Sequence, residues 1–461
     1  MMLKRFKVSG KLVQFTGAVC VNLCALVYGI VVGWPSPTMQ ILTSTESPLH
    51  SGPLTQHEVS LVNSIMTLGG MTGALIFGWV ADRFGRKWPI IVGTMPQIIS
   101  FILIATAKNV NFLLASRFLS GVAGGAMSVL LPIYVSEISE NSIRGTLGSM
   151  YGIFYNLGIA IAYIICSYMS FYTVPFVVLV MLVLFSVFIL FPESPQYLLL
   201  KRRDAEAEKS LKFFRGFSHN EEVKIEFEAL KSSVNSSNTN DKLCVQDFKP
   251  ATTRKAMIIT FILLSGRNLC GIFPLMNYTV LIFEQAETGI DSNISAIVVA
   301  GIQVIGTVLS AYLTDKSGRR ILLISCLIGT GFFFTVIGIY FLLGDLQYNL
   351  SSLSWLPITI ISGTVFLGAS VLNVPVYVLS ELLPIKVRSS IATLYVSVQW
   401  IFAFLIIQFY LPLAEVLGVY SCMWIFAGWC FFEAIFAYFW LPETKGKSSD
   451  EIIQALEGKI K

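Results

Sequence analysis

The sequence predicts an all-α membrane protein of twelve transmembrane helices, arranged as two pseudo-symmetric six-helix halves. Of its 461 residues, 55% are hydrophobic and 13% charged, and the mean hydropathy is +0.72. Soluble domains carry roughly 25% charge, so the soluble enzyme classes are excluded. Twelve apolar runs have the length of about 20 residues that crosses a bilayer core. Three charged signatures also occur twice, in the same order, so the second half of the chain repeats the first.

The first six spans fall at 12–34, 59–81, 89–107, 112–134, 146–167 and 171–191. The second six fall at 256–282, 294–314, 321–343, 356–380, 390–412 and 419–441. The first run is too long for a cleavable signal peptide and lacks a small-residue cleavage site. The chain therefore divides into an N-terminal half (1–191), a connector (192–255), a C-terminal half (256–441) and a tail (442–461). Within the connector, Ala205 to Leu230 alternates charge as a solvated helical face does, and the Ser/Asn-rich Ser232 to Asn240 reads as flexible.

Of the 32 Lys and Arg residues, 29 lie in alternate connections, Lys108 lies in the opposite set, and Arg117 and Arg267 lie within spans. This asymmetry places both termini and the connector in the cytoplasm, and the expected location is the plasma membrane. The net charge of +5 is then a topology signal and not a nucleic-acid footprint. Seven of the eight cysteines sit in apolar spans and Cys244 in the connector, which is neither a disulfide framework nor a zinc spacing. His50, His57 and His219 are all in loops, so no histidine relay crosses the membrane. No metal, no cofactor and no obligate protein partner is implied; the expected partners are a small-molecule substrate and the lipid bilayer.

The duplicated signatures sit at the cytoplasmic helix ends. Asp82-Arg83-Phe-Gly-Arg86-Lys87 recurs as Asp315-Lys-Ser-Gly-Arg319-Arg320. Glu137, with Arg144 seven residues on, recurs as Glu381 with Arg388, and Pro192-Glu193 recurs as Pro442-Glu443. Gly85 and Gly318 permit the tight turns. Interfacial anchoring would explain any one of these charges. The duplicated set, Asp82, Arg83, Arg86, Glu137, Arg144, Glu193, Asp315, Arg319, Glu381, Arg388 and Glu443, favours a gate that bridges when the inner mouth is closed and parts when it opens.

These motifs carry a family resemblance. GxxxDRFGRK (Gly78 to Lys87), RFLSGVAGG (Arg117 to Gly125), PESPQYL (Pro192 to Leu198), ExxPxxxR (Glu381 to Arg388) and PETKGKS (Pro442 to Ser448) resemble the sugar porters of the major facilitator superfamily. GIVVGWPSP (Gly29 to Pro37) is most similar to the insect facilitated trehalose and glucose transporters. The resemblance covers nearly the whole chain. It implies the major facilitator fold and alternating access to one site between the halves. The implied substrate is trehalose or a hexose such as glucose.

The chain departs from the family pattern where substrate is held. Gly152 stands for a helix-5 glutamine, Arg267-Asn268 for the glutamine pair of helix 7, Phe273 for its asparagine and Val376 for the helix-10 tryptophan; away from that region, Glu140 stands for the proline of the first ExxPxxxR motif. The polar residues left at matching positions, Arg267, Asn268, Asn277, Tyr278, Gln303, Gln399 and Trp400, are the expected substrate contacts. A sugar needs amides that donate and accept, and an aromatic platform for its ring; interhelical bonding is the competing role for each amide. Met1 to Thr45 holds no Asp or Glu, so Arg117 has no acid partner in helix 1, and uniport is favoured over proton symport. Asn293 and Asn349 head glycosylation sequons on expected outer loops.

Arg267 sits within span 7, where a charge at the midplane costs at least about 2.5–3.5 kcal/mol. At about 1.5 Å per residue, it lies roughly 16 Å from the cytoplasmic edge and Glu433 of span 12 roughly 12 Å. Two readings follow. In one, Arg267 and Glu433 form a buried ion pair. In the other, Arg267 faces the cavity and the carrier takes an altered, anionic substrate. A non-transporting sugar sensor is a third possibility, disfavoured by the intact duplicated motifs.

Overall fold

The computed structural model describes residues 9–216, 221–237, 245–286, 288–445, 447 and 449–456, and these residues contain twelve membrane-crossing helices in two halves. Helix 1 runs Gly10–Gly33 and restarts at Pro35–Thr43, with Pro35 in the first helical turn, where a missing N–H costs nothing. Helices 2 to 5 are Gln56–Phe84, Lys87–Ala105, Val110–Ile138 and Arg144–Tyr168. In the second half, helix 7 is Ala251–Leu269 continued by Ile272–Asn277 and Thr279–Gln285. Helices 8 to 12 are Ser292–Ser317, Arg319–Asp345, Leu356–Leu382, Ile385–Leu417 and Val419–Trp440.

Eleven of these segments are long and apolar enough to span a bilayer, and the sixth is shorter. Helix 6 is α-helical over Val174–Phe185 and then tightens to a 3₁₀ turn over Ser186–Leu190. The larger rise of the 3₁₀ turn brings its length to roughly 28 Å, near the hydrocarbon thickness.

Backbones approach closely where glycines face each other, because helix association in lipid relies on packing. A Cβ at Gly73 would fall 2.0 Å from the Val122 carbonyl oxygen, and one at Gly125 would fall 2.0 Å from that of Gly70. This locks helix 2 onto helix 4. The halves meet where helix 2 packs on helix 11 and helix 5 on helix 8.

Helix 7 is broken at Gly271, whose φ of +79° is left-handed. The ring of Phe426 presses on the break, at 2.3 Å from where a Cβ would stand.

The connector differs from its expected form. Pro195–Leu200, Asp204–Phe214 and Glu221–Ser237 are helical, so the Ser-rich stretch is ordered through Ser237; residues 238–240 lie outside the described residues. Phe227, Leu230 and Val234 recur at helical spacing and pack with Leu198, Leu211 and Val223, which holds the last helix in register. Arg215 ties this layer to the N-terminal half by donating to the Ile138 carbonyl at 3.1 Å while pairing with Glu226.

The glycine contacts predict a contrast. Gly73→Val and Gly125→Val force the helix 2–4 pair apart, an overpacking cost of about 1–3 kcal/mol. Both should lower the melting temperature of the detergent-solubilised protein. Gly78→Ala, which meets nothing within 4 Å, should leave it unchanged.

Candidate functional site

A cavity of about 400 Å³ lies between the halves. It opens past Pro132, Gly148, Tyr377, Leu379 and Ala392 toward the face that carries the basic turns at Gly85 and Gly318. At mid-depth its end is closed by Trp400, whose ring lies 2.6 Å from the Cβ position of Gly70 on the other half.

Beyond Trp400 the halves are joined by short polar contacts. Ser64 Oγ donates to Gln408 Oε1 (2.5 Å), Tyr163 to the Met276 carbonyl (2.6 Å), and the Val280 N–H to Ser36 Oγ (3.1 Å). Farther out, Gln40 donates to Glu284 and accepts from Asn293 Nδ2 (3.1 Å).

Arg267, Asn268, Gln303, Gln399 and Trp400 line the cavity. Asn268 donates to the Gln399 carbonyl at 2.7 Å. Gln303 donates to Asn156 Oδ1 at 2.7 Å, and Asn156 Nδ2 reaches Thr307 at 3.1 Å and the Gly152 carbonyl at 2.9 Å. Asn156 thus places a helix-5 amide at the seam, one turn beyond Gly152. A Cβ at Gly152 would meet only a Thr307 methyl, at 3.6 Å. Tyr28, Tyr151, Tyr155, Phe273 and Asn373 also line it.

Two expected contacts do not reach this cavity. Asn277 Nδ2 bonds the Phe273 carbonyl at 2.9 Å, one turn back on its own helix. Tyr278 is fully buried, donates to the Ile407 carbonyl at 3.1 Å and stacks on Tyr410 with ring centroids 5.1 Å apart. Both lie beyond the break at Gly271, which resets the helical phase.

The Arg267–Glu433 ion pair does not form among the described residues. Glu433 is fully buried, and its Oε2 lies 2.0 Å from where a Cβ at Gly266 would be. The carboxylate fills the space left by that glycine. Consecutive helical positions differ by about 100° in azimuth, so similar depth did not bring Glu433 to Arg267. Arg117 shows the opposite solution. It is 1% exposed, donates to the Val31 carbonyl at 2.7 Å and the Val62 carbonyl at 3.4 Å, and stacks over Trp34 at 5.5 Å.

The duplicated charges form one cluster within each half. Arg86 binds Glu137 at 3.1 Å and donates to the Ala81 carbonyl at 2.6 Å. Arg319 binds Glu381 at 3.1 Å and donates to the Thr314 carbonyl at 3.1 Å. Glu193 accepts the N–H groups of Arg86 (3.0 Å) and Lys87 (3.1 Å), and Glu443 those of Arg319 (3.0 Å) and Arg320 (3.2 Å). Each carboxylate thereby caps the positive N-terminus of helix 3 or helix 9. A Cβ at Gly85 or Gly318 would strike it at 2.3 or 2.6 Å.

Burial is the largest influence on Glu443 and raises its carboxyl, but the N–H bonds of Lys445, Arg319, Arg320 and Thr444 together hold it below the usual range. Its capping contribution is therefore complete above the ordinary carboxylate pKa and is lost as pH falls through the lowered value.

Other members of the expected gate stand apart. Asp82 is 85% exposed and touches Arg86 only at 3.5 Å. Arg83 lies over the Trp79 ring, and Arg144 donates to the Ser139 carbonyl at 3.3 Å. The side chains of Asp315 and Arg388 lie outside the described residues.

Residues 17–456 match the family described as sugar (and other) transporter. The chain is 30% identical over 463 residues to the facilitated trehalose transporter Tret1 of Drosophila mojavensis, covering 97% of this chain and 52% of that protein. It is 28% identical over 450 residues to Tret1 of Polypedilum vanderplanki, covering 97% of this chain and 89% of that one. The chain thus spans about half the length of the first of these relatives. Its fold is similar to the inward-open xylose transporter XylE of E. coli, with a TM-score of 0.77 at 20% identity over 97% of this chain and 100% of the other.

The two clusters differ in burial, with side-chain exposures of 9% and 8% for Arg86 and Glu137 against 16% and 27% for Arg319 and Glu381. Arg86→Met strands a buried carboxylate and should cost about 3–5 kcal/mol. Arg319→Met should cost less. Thermal unfolding in detergent reads this order, and Arg86→Met/Glu137→Met should recover part of the loss.

Proposed function

Because this chain belongs to the sugar transporter family, we propose that it is a facilitative carrier that moves a sugar across the plasma membrane by alternating access, as a uniporter. The cavity between the halves carries this reading, open toward the basic face and closed by Trp400 and the polar contacts beyond it. The cation asymmetry supports assigning the basic face to the cytoplasm, with both termini there, so the described conformation is inward-facing. The trehalose transporters among its relatives support a sugar as the substrate class. Amides of Asn156, Gln303 and Gln399 supply donors and acceptors for hydroxyls, and Trp400 offers a ring face.

Uniport is supported by Arg117. Proton coupling needs a titrating group that faces the transport path, yet carbonyl groups and Trp34 take the place of a helix-1 acid beside this arginine. The two described charge clusters each brace their own half, so they can move as units while the seam between them opens and closes.

Glycan attachment differs between the two outer sequons. Asn293 uses both ends of its amide at the closed seam, donating to Gln40 and accepting from Ser167 at 3.2 Å. Asn349 is exposed in a loop.

Uptake of labelled trehalose and glucose in an expression host should be the same with and without an inward proton gradient, and unaffected by an uncoupler. Accumulation driven by the gradient would refute uniport, and binding without flux would point to a sensor. In the same host, Asn349→Gln should abolish a glycosidase-sensitive gel shift, whereas Asn293→Gln should leave it in place.

A further inference from the structure

We propose that the substrate is an acidic sugar, a hexose-sized polyol bearing one carboxylate, and that Arg267 binds that carboxylate. The inference deepens the transport reading and rests on it. Among the described residues lining the cavity Arg267 is the only charged one, and it is partly exposed. Its guanidinium makes no hydrogen bond or ion pair among the described residues.

Arg117 shows how this chain satisfies a structural arginine in the membrane, with two backbone carbonyls and a stacked indole. Arg267 has neither. Glu433, the carboxylate nearest in depth, is turned into the space at Gly266 instead. A planar fork of donors left open in a water-accessible cavity matches a carboxylate in bidentate geometry. Tyr28, Tyr151 and Tyr155 line the same cavity as the guanidinium, and their hydroxyls can serve the remaining lone pairs of the bound acid.

The rest of the lining is that of a carbohydrate site. Asn156, Gln303 and Gln399 face the hydroxyls, and Trp400 and Phe273 supply apolar faces. A cavity of about 400 Å³ accommodates a single sugar ring. With no carboxylate in the lining, a cationic sugar finds no partner. A neutral sugar leaves the guanidinium without an anion. Uniport of a monoanion also moves one charge per cycle, so transport of this substrate generates a current that transport of glucose does not.

The full chain expressed in oocytes tests this with labelled D-glucuronate, D-glucose and trehalose under voltage clamp. Glucuronate should enter faster than glucose and carry an outward current. Arg267→Gln should lower the ratio of glucuronate to glucose uptake by about tenfold or more, the worth of a charge-assisted hydrogen bond. Arg267→Lys, which keeps charge but loses the fork, should fall between, and Glu433→Gln should leave the ratio unchanged.

Glucose or trehalose uptake without glucuronate uptake overturns the acidic-sugar proposal and leaves sugar transport standing. No uptake of any of the three overturns both. An unchanged ratio in Arg267→Gln overturns the role of Arg267. If that variant does not reach the surface, thermal stabilisation of the purified wild-type protein decides. Greater stabilisation by glucuronate than by glucose supports the proposal, and the reverse overturns it.

Discussion

A bilayer interior supplies no water to a polar group, so each charge and each backbone group placed there must find its partner within the protein. Arg117 and Arg267 face this constraint in two ways. Arg117 is closed off: carbonyls of helices 1 and 2 and the face of Trp34 surround it, and it fastens three helices together. Arg267 sits on the wall of the cavity, with its donors unused among the described residues. The same residue type is thus enclosed in one half and left open to the cavity in the other.

The constraint also explains the helix ends. Helices 3 and 9 begin immediately after tight glycine turns, and a carboxylate from a distant part of the chain satisfies their first N–H groups. The arginine of each turn is held by a second carboxylate from helix 4 or helix 10. The proposed rocking cycle needs halves that stay rigid and a seam that does not. The charged clusters provide the first, and the neutral amides and hydroxyls across helices 5 and 8 provide the second.

Much of this was legible from residues alone. Apolar runs and doubled motifs gave the twelve helices, and only helix 6 fell short, because tightening to 3₁₀ lets fewer residues cover the same thickness. Five of the seven expected substrate contacts line the cavity. Asn277 and Tyr278 do not, since the left-handed turn at Gly271 changes which face the rest of helix 7 presents, and no count along the chain predicts that angle. The Arg267–Glu433 pairing failed for a related reason. Depth can be counted from a sequence, but azimuth depends on which small residue makes room. Asn156 was overlooked although it lies four residues after Gly152, where an amide one turn along can serve the space a glycine vacates. The connector was read as solvated because its charges dominate, while Phe227, Leu230 and Val234 form the stripe that packs it.

The seam beyond Trp400 is built almost wholly from uncharged hydrogen-bonding groups, with Glu284 the charged exception among its contacts. Coulombic screening reaches such contacts weakly, so in the proposed alternating-access cycle ionic strength has little hold on the balance between the two orientations. Hydration has more. Opening toward the basic face fills a cavity of about 400 Å³ with solvent, and closing it returns that solvent to bulk. Compatible solutes too large to enter would act on the carrier as an osmotic load, favouring whichever conformation holds less water. With the basic face cytoplasmic, as proposed, a cell that raises its internal solute concentration would in this way adjust the resting orientation of the protein without touching any residue of the cavity wall.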